Sequence, residues 1–228
     1  MSTTAAAADP QTAPLQMTTR TTMLAVALVS FASLLLELAL TRLFSVVLFY
    51  HFAFFAISVA LLGLGSGGVF AHVRQEWLSR FDMRTLGFRL SLLNSIFILA
   101  SVEVVLHTPV SLEVTGRNFG KLTIIYLAAA VPFFLTGLLF SVLFARSSKD
   151  ISHLYGADLA GGASACLAVV PLLNLIGAPN ALLLASAAMA ISSALWVSDG
   201  KRKKIAYALA AVFVLAIAAN HSGRLLDV

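Results

Sequence analysis

The sequence predicts an all-α, polytopic membrane protein with about seven transmembrane helices. Apolar residues make up 60% of the chain and charged residues only 11%, whereas soluble domains are about 45–50% apolar and about 25% charged. Apolar runs recur at or above the length of ~20 residues that crosses a bilayer. The connectors between these runs are too short for a soluble domain with its own core. We therefore expect a single membrane domain.

The apolar runs divide into seven predicted spans. The run at 22–72 is twice as long as one span requires, so it must contain two helices. The fifth span is diluted by glycine and serine, but small residues are common in membrane helices. The predicted spans cover residues 23–48, 51–71, 86–106, 122–145, 155–173, 180–198 and 204–220.

The predicted membrane domain, 22–220, is flanked by two tails. Residues 1–21 are rich in Ala, Thr and Pro, which predicts a disordered cytoplasmic tail. Residues 221–228 form a short external tail. The first apolar segment is too long for a signal-peptide core and has no convincing cleavage site, so we expect it to remain as a span.

The distribution of basic residues predicts the orientation. Eleven of the fifteen Lys and Arg residues fall in loops on one predicted side and three on the other, with Arg42 inside a span. Cytoplasmic loops are enriched in Lys and Arg, so the N-terminus is predicted to be cytoplasmic and the C-terminus external. Because the basic residues flank apolar spans, the net charge of +5 does not indicate nucleic-acid binding.

One connector and two aromatic residues are predicted to lie at the membrane surface. Residues 72–85 place Trp77, Leu78 and Phe81 at helical spacing with arginines opposite, a pattern suited to lying on anionic lipid. An ordinary basic loop with an interfacial Trp explains it equally well. Tyr50 and His51 lie near the ends of spans and are predicted to be interfacial.

The glycine cluster GLGSGG at 63–68 matches the dinucleotide-binding pattern G-x-G-x-x-G. That pattern binds a pyrophosphate only where a strand leads into a turn before a helix, and here a membrane-length run precedes it. Gly63 and Gly67 also form G-x-x-x-G, which lets two helices approach closely. We therefore expect helix packing at Gly63 and Gly67, and also at Gly161 and Gly162.

Four charged residues are predicted to lie within spans. Glu37 is costly there, by about 2.5–3.5 kcal/mol, unless it is paired or protonated. Arg42 is five residues further on, about 140° around the helix, so the two should not pair with each other. Arg42 could pair with Glu103, or both could reach the outer headgroups. Asp158 is either a helix-start carboxylate or a polar contact to another helix or a substrate.

No arrangement of residues typical of an active site is evident. His, Cys and carboxylate residues lack metal-ligand spacing, and no nucleophile has a base beside it. The single cysteine, Cys166, excludes an internal disulfide. We expect neither a metal nor a cofactor, and no catalytic residue in this chain.

Two segments carry a resemblance to a known family. ELALTRLFSVVLFYHFAFFAISVALLGLGSGG at 37–68 and YGADLAGGASACLAVVPLLNLIGAPNALLLASA at 155–187 resemble the membrane region of bacterial membrane-bound spermidine synthase-like proteins. In that family a multi-helix domain precedes a soluble Rossmann-like domain that transfers aminopropyl groups. The soluble domain's motifs have no counterpart here, so the resemblance supplies no catalytic residue. The matching residues are Glu37, Thr41, Arg42, Tyr50, His51, Gly63, Gly65, Gly67, Tyr155 and Asp158.

The resemblance implies a multi-pass protein of the bacterial inner membrane. We expect a helical module that is not itself an enzyme, and that is either an anchor for a catalytic domain or an accessory subunit of a larger complex. Its expected partners are the lipid bilayer and either other membrane subunits or a separate soluble domain. The alternative is a small-molecule transporter, for polyamines or a similar metabolite, in which Glu37, Arg42 and Asp158 line a polar path.

Overall fold

The computed structural model describes residues 19–47, 53–108, 115–147 and 150–221, and seven helices account for nearly all of them. Six of these helices, all but the short α3, are long and apolar enough to cross a membrane. This confirms the predicted all-α, multi-pass membrane fold. The helices are α1 Thr19–Val47, α2 Ala53–Val73, α3 Gln75–Ser79, α4 Met83–His107, α5 Gly116–Arg146, α6 Ile151–Leu195 and α7 Gly200–His221.

The fifth and sixth predicted spans are joined in α6, which has 45 residues. At 1.5 Å per residue this is about 67 Å of helix, more than twice the ~30 Å hydrocarbon core of a bilayer. Gly177 interrupts the helix with φ 77° and ψ 168°, a conformation that is essentially restricted to glycine. We call residues 151–176 α6a and residues 178–195 α6b.

The chain reverses its direction at Gly177. In α6a, a Cβ atom placed on Gly161 would lie 2.1 Å from the carbonyl oxygen of Ala27 in α1. In α6b, Ser192 Oγ donates a 2.9 Å hydrogen bond to the carbonyl of Ala25. Both contacts fall on one turn of α1. Along the helix, however, Gly161 and Ser192 each lie about 22 Å or more from Gly177, at about 1.5 Å per residue. The two halves therefore form a helical hairpin, which gives seven segments of spanning length.

The helices pack in two groups that share α4. α1 packs most extensively against α6, while α2 packs against α5, and α4 contacts both α5 and α6. α1 supplies much of the fully buried core, including Leu35, Leu36, Leu40 and Phe44. α6b is the most enclosed segment, because only Leu184 and Ile191 among residues 180–194 escape full burial.

Several helix ends lie together at one end of the bundle, which we call the basic end. Arg146, the last residue of α5, donates hydrogen bonds to the carbonyls of Leu78 and Phe81 beside α3. The guanidinium of Arg202 at the start of α7 lies 6.0 Å from the ring of Phe88 near the start of α4. Exposed basic residues at this end are Arg74, Arg80, Arg89, Lys201, Arg202 and Lys204. These are residues of the loops that the sequence assigns to the cytoplasmic side.

Some predicted boundaries differ from the observed ones. α1 begins at Thr19, so the last three residues of the predicted disordered tail, 19–21, are helical. α4 begins at Met83 because the carboxylate of Asp82 accepts hydrogen bonds from the backbone N–H groups of Arg84 and Thr85, the usual role of an N-cap residue. α7 ends at His221, and residues 1–18 and 222–228 of the predicted tails lie outside the described residues.

Candidate functional site

The glycine cluster of α2 forms a close backbone contact with α5. A Cβ atom on Gly63 would lie 2.7 Å from the carbonyl oxygen of Ala130, and one on Gly67 would lie 2.3 Å from that of Phe134. A Cβ atom on Gly137 of α5 would lie at a similar 2.3 Å from the carbonyl oxygen of Leu64 in α2. No other residue fits these positions unless the two helices separate. The glycines therefore allow the two backbones to touch, as expected for small residues at membrane helix contacts.

The same cluster lies in the interior of a helix rather than in a turn. Residues 63–68 belong to α2, which runs from Ala53 to Val73. Backbone N–H groups within a helix already donate to the carbonyls of the preceding turn, so they do not point together at a phosphate. Gly65, the middle glycine of the nucleotide pattern, is exposed, and a Cβ atom placed on it would meet no atom within 4 Å outside its own helical backbone. The geometry does not match a dinucleotide site.

The adjacent glycines of α6a differ in their surroundings. Gly161 is pressed against the Ala27 backbone of α1, as described above. A Cβ atom on Gly162 would lie 3.6 Å from Leu34 Cδ2, an ordinary van der Waals distance. Of these two glycines, therefore, Gly161 alone sets the distance between α6a and α1.

Asp158 contacts another helix. Ser30 Oγ of α1 donates a hydrogen bond to Asp158 Oδ1, with Ser30 buried and Asp158 half-buried. α6 begins at Ile151, so Asp158 lies two turns into the helix, beyond the first turn where the helix dipole favours carboxylates. Its interpretation as a helix-start carboxylate is wrong, and the alternative of an interhelical contact agrees with the structure.

The other charged residues of the spans do not form the ion pair considered from the sequence. The Glu103 carboxylate lies 3.2 Å from Nδ1 of His107, one turn further along α4, and both side chains are largely exposed. Arg42 is exposed on α1. Since α1 and α4 have little contact, nothing brings Arg42 to Glu103. Glu37 and Arg42, both described, do not form an ion pair with each other either, as the spacing predicts.

Glu37 belongs to a line of polar residues on α1. Ser30, Ser33, Glu37 and Thr41 follow one another at spacings of three and four residues, so they share one side of the helix. We call this line the α1 polar stripe. Thr41 Oγ1 donates to the backbone carbonyl of Glu37, but the half-buried Glu37 carboxylate has no hydrogen-bond or ion-pair partner among the described residues. Such a carboxylate can bind a cation or carry a proton.

The connector at the basic end exposes one of its apolar residues and buries the next. In α3, Trp77 is 49% exposed while Leu78 is buried. The Trp77 ring lies edge-on to Phe81 at 4.9 Å between centroids. Arg146 secures this corner through bonds of 2.7 and 2.8 Å to the carbonyls of Leu78 and Phe81. The other two predicted interfacial residues, Tyr50 and His51, lie outside the described residues.

Two polar links between spans were missed from the sequence. Asn94 of α4 donates a 2.9 Å hydrogen bond to Thr136 Oγ1 of α5. Asn220 of α7 donates a 2.8 Å bond to Asn180 Oδ1 at the start of α6b. An asparagine within an apolar run was the available signal, because polar side chains often join helices in membranes. The sequence alone does not say which helix receives the bond.

Metal ligands do not cluster in the part of the chain that the structure describes, where no three His, Cys, Asp or Glu residues are placed to hold an ion. Cys166 lies exposed on α6a. Comparisons with protein-family models, with curated proteins and with solved structures find no match for this chain. The contacts of its own residues therefore provide the basis for a functional proposal.

Proposed function

We propose that this chain is a membrane-embedded helical module that serves as an anchor or an accessory subunit for another protein. One observation supports this most directly: four of the unusual residues of its spans contact neighbouring helices. Gly63 and Gly67 set the α2–α5 contact, Gly161 sets the α1–α6a contact, and Asp158 binds Ser30. A bundle fixed in this way gives a stable platform in the membrane. The resemblance to the membrane region of spermidine synthase-like proteins is consistent with this role.

The outer sides of the bundle would contact lipid or the partner. Large apolar side chains are more than half exposed on α2, α6a and α7, whereas charged residues concentrate at the helix ends. Such surfaces are normal for lipid contact and also for membrane subunit interfaces. Examples are Phe54, Leu61 and Val69 on α2, Leu167 and Leu175 on α6a, and Val212 and Leu215 on α7.

Photocrosslinking tests the subunit role. A photoreactive amino acid is introduced in turn at Leu61, Leu167 and Leu215, which lie on three different helices and are 67–81% exposed. An accessory subunit should give one crosslinked protein partner of constant mass from one side of the bundle, at native expression level. Lipid adducts alone from all three positions would contradict the subunit role. Buried Leu182 serves as the control, since it should crosslink only within the chain.

We also propose that the basic end faces the cytoplasm of a bacterial inner membrane, since basic residues favour that side. The single cysteine makes the test simple, because Cys166→Ser leaves a cysteine-free chain. Ser79→Cys then marks the basic end and Thr115→Cys the opposite end, both at exposed positions. A membrane-impermeant maleimide should label Thr115→Cys in intact cells and Ser79→Cys only in permeabilised cells. The reverse pattern would invert the proposed orientation.

A second candidate function is transport of a small organic cation, such as a polyamine, along the α1 polar stripe. The observation that favours it is the half-buried Glu37 carboxylate, which lies two turns beyond the Ser30–Asp158 contact on the same side of α1. Arg42 lies exposed near the far end of the stripe. Uptake of labelled polyamine into proteoliposomes should be lost in Glu37→Gln and kept in Glu103→Gln. Equal uptake by protein-free liposomes would exclude this function.

A further inference from the structure

The core between α4 and α6b contains buried polar atoms without a hydrogen-bond partner among the described residues. They are Ser91 Oγ, Asn94 Oδ1 and Trp196 Nε1. The three residues are at most 2% exposed, so bulk lipid and solvent do not reach them. A buried polar atom that lacks a partner destabilises a fold, and three in one contact region need an explanation.

The three residues lie on turns of α4 and α6b that face each other. α4 and α6b run in opposite directions, because Gly87 lies against the Trp196 ring while Asn94 Nδ2 lies 3.9 Å from Met189 Sδ. Ser91 falls between Gly87 and Asn94 at spacings of four and three residues, hence on the same side of α4. The fused ring carbons of Trp196 lie against Gly87, one helical turn of α4 from Ser91.

The chemistry of the three atoms is complementary. The Trp196 indole N–H can only donate, Asn94 Oδ1 can only accept, and the Ser91 hydroxyl can do both. The amide nitrogen of Asn94 is already used on Thr136. The flanking residues 189–196 carry no charge, and on 87–94 the only charge is that of the exposed Arg89. A molecule that binds here must be neutral and must both donate and accept hydrogen bonds.

We propose that Ser91, Asn94 and Trp196 form a binding site for a small neutral hydrogen-bonding molecule, of which water is the smallest example. The molecule accepts a hydrogen bond from Trp196 Nε1 and donates one to Asn94 Oδ1, while the Ser91 hydroxyl completes its coordination. About three hydrogen bonds are typical for a buried water. The site joins α4 to α6b through a bound molecule, and this inference is independent of the proposed anchor role.

Thermal unfolding of Ser91→Ala, Trp196→Phe and the double variant tests the site. If a bound molecule uses both groups, Ser91→Ala should lower Tm by a few degrees, and the double variant should lose less than the sum of the two single losses. An unpaired hydroxyl behaves oppositely, because its removal relieves a cost and leaves Tm unchanged or raised. Either that result or fully additive losses would overturn the proposal.

Ser101→Ala provides a matched control for this cycle. Ser101 is as buried as Ser91 on the same helix, but its hydroxyl donates to the carbonyl of Ile98 within α4. Ser101→Ala should show additive behaviour with Trp196→Phe. The diagnostic quantity is the difference between the Tm loss of the double variant and the sum of the single losses. The loss in Trp196→Phe alone is not diagnostic, since this change also leaves unfilled space in the core.

A second measurement keeps the natural Trp196 side chain. The chain has two tryptophans, so Trp77→Phe leaves Trp196 as the sole tryptophan, which is excited selectively at wavelengths that tyrosine does not absorb. Adding Ser91→Ala should shift its fluorescence to shorter wavelength as the bound molecule is lost, and an unchanged spectrum would contradict the site. Native mass spectrometry distinguishes bound water from a larger bound solute. A larger solute adds a constant mass to the protein, whereas water is lost and leaves the protein mass unchanged.

Discussion

The two halves of α6 are similar in composition and opposite in environment. Both are rich in alanine and also contain serine, and glycine occurs only in α6a, yet the bundle encloses only α6b. In α6a the buried residues are confined to one line along the helix, at spacings of three and four residues: Leu154, Ala157, Gly161, Ala165 and Val169. In α6b burial extends around the helix.

The contacts of α6b explain this difference. Its Ser192 binds α1, its Met189 contacts α4, and its Asn180 binds α7. Small side chains there allow three neighbours to close around one helix, whereas in α6a they serve a single contact with α1. Small residues in a span therefore permit close packing, and the topology decides on how many sides it occurs.

Enlarging a side chain in each half should produce the largest difference in unfolding free energy between variants of α6a and α6b. Ala190 of α6b is fully buried against α7, whereas Ala163 of α6a is exposed. Ala190→Leu should cost about 3 kcal/mol of unfolding free energy through overpacking, or prevent folding, while Ala163→Leu should change little. Reversible unfolding in mixed micelles measures both. Equal losses would show that α6a is as enclosed as α6b.

The turn between the halves is the next most sensitive position. Gly177 has φ 77° and ψ 168°, where a side chain costs about 1–3 kcal/mol. Gly177→Ala should therefore destabilise the hairpin by about 2 kcal/mol in the same unfolding measurement. Gly156→Ala is the control, because nothing lies within 4 Å of its new Cβ. A stable Gly177→Ala variant would contradict the reversal of the chain at this residue.

Adjacent glycines in α6a should respond differently to the same change. Gly161→Ala places a methyl group 2.1 Å from the Ala27 carbonyl and forces α6a away from α1, at a cost of about 1–2 kcal/mol. Gly162→Ala meets Leu34 only at 3.6 Å and should be neutral or slightly stabilising through helix propensity. If the two variants unfold alike, Gly161 does not set the α1–α6a distance.

Adjacent serines in α6b give the smallest predicted difference. Ser192 Oγ donates to the carbonyl of Ala25 in α1, whereas Ser193 Oγ donates to Ala190 within its own helix. Ser192→Ala should cost about 0.6 kcal/mol, an average for hydrogen bonds between membrane helices. Ser193→Ala should lie within error of the parent in matched unfolding curves. A larger loss for Ser193→Ala would reverse the assigned roles.

Span positions could be predicted because a bilayer imposes a length and an apolar composition on every crossing. The separate predicted helices at 155–173 and 180–198 correspond to α6a and α6b, with Gly177 in the gap between them. Residues 63–68 could likewise be placed within a helix, since the preceding apolar run excludes a strand and turn.

Contacts between helices could not be predicted in the same way. Gly161 and Gly162 are equivalent in the sequence, and only the path of α1 separates their roles. Asp158 lay outside the first turn because α6 starts at Ile151, earlier than the apolar pattern indicates. The partners of Arg146 are backbone carbonyls, which leave no trace in side-chain patterns.

The α1–α6 contact also has a consequence for biosynthesis. α1 precedes α6 in the chain, yet its main neighbour is the hairpin of α6, and the bond from Ser192 to Ala25 joins residues 167 positions apart. A chain made from its N-terminus must complete three further helices of spanning length, α2, α4 and α5, before the α6 hairpin is made. Contacts between such distant residues form late. A chain interrupted before α6 would therefore leave α1 without its principal contact.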